Sequence, residues 1–184
     1  QRSASARWES WPAPPAQCDR RTRRRPAQPA VSLRAMAPPL ASPSVGQLVG
    51  RDDVDICAFL GVPFAAPPLG PRRFGPPAAV EPWQGTRAAT EFGPSPLSAA
   101  GAPGRLLIDL TPPATSEDCL TLNVWTPSCE PAAKRPVLVF FYGGAFVTGS
   151  SALPIYHGGT LAARGDAVVV TANYRLGLFG WLRS

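Results

Sequence analysis

The chain has no apolar run of 18 residues or more, which excludes a membrane-spanning helix by sequence. It has no C-x-x-C pair. Its four cysteines, Cys18, Cys57, Cys119 and Cys129, stand 39, 62 and 10 residues apart, which fits neither a metal knuckle nor a redox motif. Four cysteines in 184 residues do not make a disulfide framework either. N-x-[ST] sequons are absent, and no apolar signal core stands near the N-terminus, so nothing argues for secretion. Histidine is scarce: His157 is the single one, in a loop flanked by Pro and Gly. A lone loop histidine reads as an ordinary surface residue. Internal repeats are also absent.

Net positive charge is confined to one end. Residues 1–35 hold eight Arg and two acids, which accounts for the whole net charge of +6. The remainder is balanced, so the body has no basic face for nucleic acid. The run "RRTRRR" (20–25) is compatible with polyanion binding. The plainer expectation is a disordered, Pro/Arg/Ala-rich basic tail over residues 1–43, or sequence lying upstream of a start at Met36.

From Ser44 the pattern is that of a packed domain. "VGQLVG" (45–50) and "ICAFLGVPF" (56–64), separated by "RDDVD", predict an antiparallel pair with an acidic turn. The Pro- and Gly-rich stretch after them predicts an extended surface connection, because Pro cannot donate to a ladder. Residues 93–116 read as a loop. "CLTLNVWT" (119–126), "PVLVFFY" (136–142) and "AVVVTANY" (167–174) predict strands. The last two are nearly continuous apolar runs, the habit of parallel strands covered on both faces. Between them "LPIYHGGTLAARGD" leaves room for one short helix ended at Gly165, which completes a βαβ unit.

One segment needs bare backbone. "YGGAFVTGSS" (142–151) leaves a buried strand through two glycines. It is no P-loop, since Ser150 stands where the Lys belongs, and no dinucleotide G-x-G-x-x-G occurs. Two readings remain open on the residues: a plain structural turn, or an oxyanion hole whose backbone N–H groups face an oxygen that gains charge during acyl transfer.

Five blocks carry a resemblance: "GVPFAAPPLGPRRFGPP", "EPWQGTRAATEFGP", "SEDCLTLNVWTP", "VLVFFYGGAFVTGSS" and "GDAVVVTANYRLGLFGWL". In this order they resemble the N-terminal third of the type-B carboxylesterase (carboxylesterase/cholinesterase) family. The resemblance implies an α/β fold of the α/β-hydrolase kind: a small N-terminal antiparallel hairpin and the first strands of a central mixed sheet. Its "PVLVFFY" strand is then expected to be central. The implied activity is hydrolysis of a small-molecule carboxylic ester by a Ser-Glu/Asp-His triad, with no cofactor and no metal. Carried onto this chain, Gly144 and Ala145 supply oxyanion-hole N–H groups and Gly143 allows the turn. Phe146 shapes the acyl pocket or packs beneath the loop. Arg73 pairs with Glu117, Asn173 braces the loop backbone, and Arg175 meets an acid further along.

Departures from the family pattern matter as much. No G-x-S-x-G occurs, and Ser150 follows the wrong element to be a nucleophile. The chain therefore reads as a fragment ending before the nucleophile elbow, inactive alone and needing the remainder of its domain to fold. The block "GPSPLS" lacks the Cys that secreted relatives bridge to the Cys of "SEDC". Cys119 is thus expected to be a free, buried thiol, which fits a reducing compartment or a bacterial-type enzyme; with no signal peptide seen, the expected location is the cytoplasm. "LLIDLTPPAT" holds no aromatic where cholinesterases place a choline-stacking Trp, which disfavours a choline ester. The alternative in a different class is a non-catalytic, cholinesterase-like adhesion module that binds a protein partner.

Overall fold

β-Branched and aromatic residues come in short runs punctuated by Pro and Gly, and short strands are the result. The computed structural model describes residues 37–53, 55–98 and 114–182. The expected basic tail up to residue 36 and most of "LLIDLTPPAT" lie outside the described residues. In chain order the strands are β1 (Leu40–Ala41), β2 (Gln47–Val49), β3 (Arg51–Asp52), β4 (Cys57–Pro63), β5 (Thr86–Ala88), β6 (Ser95–Pro96), β7 (Thr115–Ser116), β8 (Thr121–Thr126), β9 (Val137–Phe141) and β10 (Val168–Ala172). Two short helices join them, α1 (Gly159–Gly165) and α2 (Gly177–Trp181). No described helix is long and apolar enough to cross a membrane.

The main sheet has the order β3-β4-β8-β10-β9. Its pairs are antiparallel from β3 to β10, and β10 and β9 are parallel, with Val170 opposite Val139. The mixed sheet and the β9–α1–β10 crossover agree with the sequence reading. A second sheet, β1-β2-β5, and a parallel pair, β6–β7, stand apart.

Three local expectations need correction. "VGQLVG" does not pair as one strand with "ICAFLGVPF". It breaks at Gly50, where a Cβ would stand 2.5 Å from the Ala58 carbonyl oxygen. β2 leaves for the second sheet, and only the two-residue β3 forms the hairpin with β4. Order also begins earlier than Ser44, because Leu40 pairs with Val49 and Gly50 N–H donates to the Pro39 carbonyl at 2.8 Å. Finally, the segment read as a loop over 93–116 contributes both β6 and β7.

Alternation along β4 builds two core layers. Ala58 and Leu60 meet Ile56, Trp125, Val169 and Ala162 of α1 on one face. Phe59 meets Leu48 and Ala89 on the other, with Cys57, Val62 and Val124 at the margin. A bulge interrupts β4 between Phe59 and Val62. Gly61 sits in it at φ +65°, and a Cβ there would lie 2.7 Å from the Glu91 carbonyl oxygen. α1 ends at Gly165 as expected, but the left-handed residue that caps it is Asp166 at φ 45°. Asp tolerates that conformation, and its carboxylate accepts from Arg135 Nε at 2.6 Å.

Cys119 is free and buried beside Ala65 and Leu120. Burial pushes its thiol up to about 11. The unfolded chain ionises this thiol first, so its contribution to stability is intact below about pH 9 and is lost as pH rises toward 11. We expect Cys119 to resist alkylation at neutral pH and to react once urea is added; equal labelling rates would contradict the packing.

β9 runs along the edge of the main sheet, and all five of its residues are exposed. The continuous apolar run predicted cover on both faces; β10 is largely covered, and β9 is not. No charge interrupts Val137–Phe141, so the strand offers an apolar edge to other chains. Val139→Lys is expected to shift the 184-residue chain from concentration-dependent aggregates toward monomer in light scattering. Identical scattering by both proteins would show that this edge does not drive association.

Candidate active site

The C-terminal end of β9 delivers the chain into the glycine turn, and two tyrosines fix where it arrives. Tyr142 Oη donates to the Tyr174 carbonyl at 3.2 Å, and Tyr174 Oη returns to the Tyr142 carbonyl at 2.6 Å. Their rings stack at 4.4 Å. Burial raises the Tyr142 hydroxyl well above its ordinary value, so it stays a donor. This reciprocal clamp ties the end of β9 to the end of β10.

Beyond it the backbone turns sharply. Gly144 adopts φ +148°, and a Cβ would fall 2.0 Å from the Thr148 carbonyl oxygen, so no other residue fits. The Gly144 carbonyl accepts from Val147 and Thr148 N–H, both at 3.1 Å. Ala145 and Phe146 are both left-handed, at φ 52° and 63°. Gly177 N–H donates to the Phe146 carbonyl at 2.8 Å, which ties the strained turn to α2. Among the described residues, neither Gly144 N–H nor Ala145 N–H donates to a backbone carbonyl. Gly143 is not in the left-handed region, and nothing lies within 4 Å of its would-be Cβ. The reversal is made by residues 144–146, and Gly143 leaves open space ahead of it.

That turn borders an open apolar cleft of about 530 Å³. Ala145, Phe146 and Val147 line one side, and Gly177, Leu178 and Trp181 the other. Phe146 is 55% exposed and packs on Trp181 at 4.2 Å. It forms a wall of the cleft and does not pack beneath the loop.

The far end of the turn is held by buried polar side chains: Asn173, expected to brace the loop, and Asn123, Ser95 and Thr171, which the sequence reading did not single out. Asn173 Oδ1 accepts from Ser151 N–H at 2.9 Å, and its Nδ2 donates to the Pro94 carbonyl at 3.1 Å. Asn123 Nδ2 donates to Ser151 Oγ and Thr171 Oγ1, both at 3.1 Å, while its Oδ1 accepts from Gly61 N–H at 3.0 Å. Ser95 Oγ donates to Ser150 Oγ at 2.8 Å. Ser150 is fully buried, which rules it out as an attacking hydroxyl. The available signal was polar residues inside apolar strands, Asn123 in "TLNVWT" and Thr171 in "VVVTANY".

Arg73 and Glu117 form a two-pronged ion pair, with Nε to Oε2 at 2.6 Å and Nη2 to Oε1 at 2.8 Å. The hydrogen bond to Glu117 raises the Arg73 guanidinium further. Arg175 Nη2 donates to the Gly75 carbonyl at 2.8 Å, so its partner among the described residues is a backbone oxygen and not an acid. Phe74 stacks on Phe179 of α2 at 6.0 Å. These contacts join the loop at 72–75 to the segment at 175–179. His157 is half-buried against Trp125, ring centres 5.1 Å apart, and therefore packs more than a plain surface residue does. Its Nε2 stands 3.0 Å from Asp53 Oδ2, at ion-pair distance but outside hydrogen-bond geometry. It does not line the apolar cleft.

Residues 38–184 match the model of the Carboxylesterase family. The chain is 45% identical over 128 residues to fumonisin B1 esterase of Sphingopyxis macrogoltabida, which covers 70% of this chain and 23% of that protein. It is 41% identical over 162 residues to human carboxylesterase 3, covering 80% of this chain and 28% of that one. Among solved structures, Geobacillus stearothermophilus carboxylesterase EST55 superposes with a TM-score of 0.68 at 39% identity, covering 78% of this chain and 28% of that one. The chain thus spans about a quarter of the length of these relatives. Strand order, glycine turn and family match agree, and the chain belongs to the carboxylesterase family, as a portion of an α/β-hydrolase fold.

Proposed function

We propose that this chain supplies the oxyanion-hole portion of a serine carboxylic-ester hydrolase. The observation that carries the reading is the turn at 144–146, held at both ends and bordering an apolar cleft, with two amides not engaged by backbone carbonyls among the described residues. Attack on an ester carbonyl moves negative charge onto its oxygen. Donors already in position stabilise that charge without reorganising, and Gly144 and Ala145 N–H are the donors here. The cleft walls, Phe146, Leu178 and Trp181, suit an uncharged, apolar ester. Tyr142, Tyr174, Asn123 and Asn173 act as positioning residues, because they touch the turn's two flanks. Arg73 and Glu117 brace the loop at 72–75 without facing the cleft. A serine nucleophile and its histidine base are not among the groups brought to this cleft, so the proposed activity requires them from further sequence.

Two measurements test this. The purified 184-residue chain is expected to hydrolyse p-nitrophenyl acetate no faster than a boiled control, and steady turnover would overturn the assignment of roles. In a protein made from the coding sequence extended past Ser184, Gly144→Ala must displace Thr148 or the turn. It is expected to lower kcat about 10²–10³-fold, the loss typical of one oxyanion donor, with a smaller change in KM. An unchanged kcat, or an extension with no serine at its nucleophile turn, would refute the proposal.

A further inference from the structure

Two of the four cysteines end up side by side, far from the glycine turn. Cys57 opens β4 and Cys129 follows the last residue of β8 by three positions. In the β4–β8 ladder Cys57 stands opposite Thr126, so the chain leaving β8 passes close to it. Both side chains pack on the cluster of Leu48, Phe59 and Ala89. Burial raises the Cys129 thiol and the neighbouring Cys57 raises it further, as two side chains packed on one cluster would. Both are half-buried and free, whereas Cys119 is sealed in the core. The loop carrying Cys129 is held in place, because Thr126 Oγ1 donates to the Ser128 carbonyl at 2.8 Å and Arg135 Nη1 donates to Ser128 Oγ at 2.9 Å.

We propose that Cys57 and Cys129 form a redox-active dithiol, which a small-molecule disulfide converts into an intramolecular bridge between β4 and the β8–β9 connection. Burial and the neighbouring Cys57 raise the Cys129 thiol, which suits Cys129 to the second, resolving step. The Cys57 thiolate attacks one sulfur of the oxidant, forms a mixed disulfide and releases one thiol. Cys129 then gives its proton to solvent, attacks Cys57 Sγ and releases the second thiol. The protein loses two hydrogens and two electrons, and the oxidant is reduced to two thiols. The bridge closes a loop that runs from residue 57 to residue 129 and contains most of the main sheet's pairings to β4, which constrains the unfolded chain strongly.

The test is incubation of the 184-residue chain with oxidised glutathione, followed by peptide mapping in the mass spectrometer. The expected product joins the Cys57 and Cys129 peptides, with the mass loss of two hydrogens, and dithiothreitol reverses it. Cys57→Ser and Cys129→Ser each abolish the bridge and leave a glutathione adduct on the remaining thiol. Cys119→Ser retains the bridge. In urea the same oxidant is expected to give mixed pairings that include Cys18 and Cys119. The bridged protein should melt about 10 °C higher than the reduced one. Adducts without a bridge, the same pairings with and without urea, or a melting temperature that does not rise would each overturn the proposal.

Discussion

The structure depends on a buried set of side-chain hydrogen bonds centred on Asn123 and Asn173. These two amides reach four separate parts of the chain: the β4 bulge at Gly61, the loop at Pro94, the segment at Ser151 and strand β10 at Thr171. A buried amide left unpaired costs about 1–3 kcal/mol, so each partner is held to its place by the penalty for leaving it. Apolar contacts have no such directional demand. The two asparagines therefore decide how the sheet's edges and the turn segment register against one another, while Trp125, Leu60 and Val169 supply the bulk of the burial.

This explains how a strained turn survives. Ala145 and Phe146 both occupy the left-handed region, at roughly 1–2 kcal/mol each. Such conformations persist only where the surroundings over-determine them. Here the tyrosine clamp fixes the entry and Asn173 fixes the exit. The Gly144 carbonyl engages Val147 and Thr148 N–H, so the turn's own hydrogen bonds leave the Gly144 and Ala145 amides out. Stored strain and unspent donors are two aspects of one arrangement, and both suit a backbone held ready for an external charge.

Much of this was legible in the residues. Strongly apolar, β-branched runs gave β8, β9 and β10 within a residue or two, and Gly165 marked the end of α1. The glycine turn was legible because glycine is demanded where a Cβ would strike backbone, as at Gly144. What could not be read was long-range: that Gly50 is crossed by the Ala58 carbonyl, that Asn123 binds Gly61, that Arg175 finds the Gly75 carbonyl. None of these follows from periodicity, because each depends on where a distant segment passes. The open edge of β9 was expected of a chain lacking the next strand, but cover on both its faces was not found, for a related reason. Composition reports what a strand is suited to pack against, and not what stands beside it.

The parallel pairing of β9 with β10 has a consequence for biosynthesis. β9 joins the rest of the main sheet only through β10, which begins about 27 residues later. At a synthesis rate of roughly 5–20 residues per second, the emerging β9 waits about 1–5 s before its first neighbour exists. Ribosome-associated chaperones that shield apolar segments have their natural binding window in that interval, and Val137–Phe141 is the stretch they would cover.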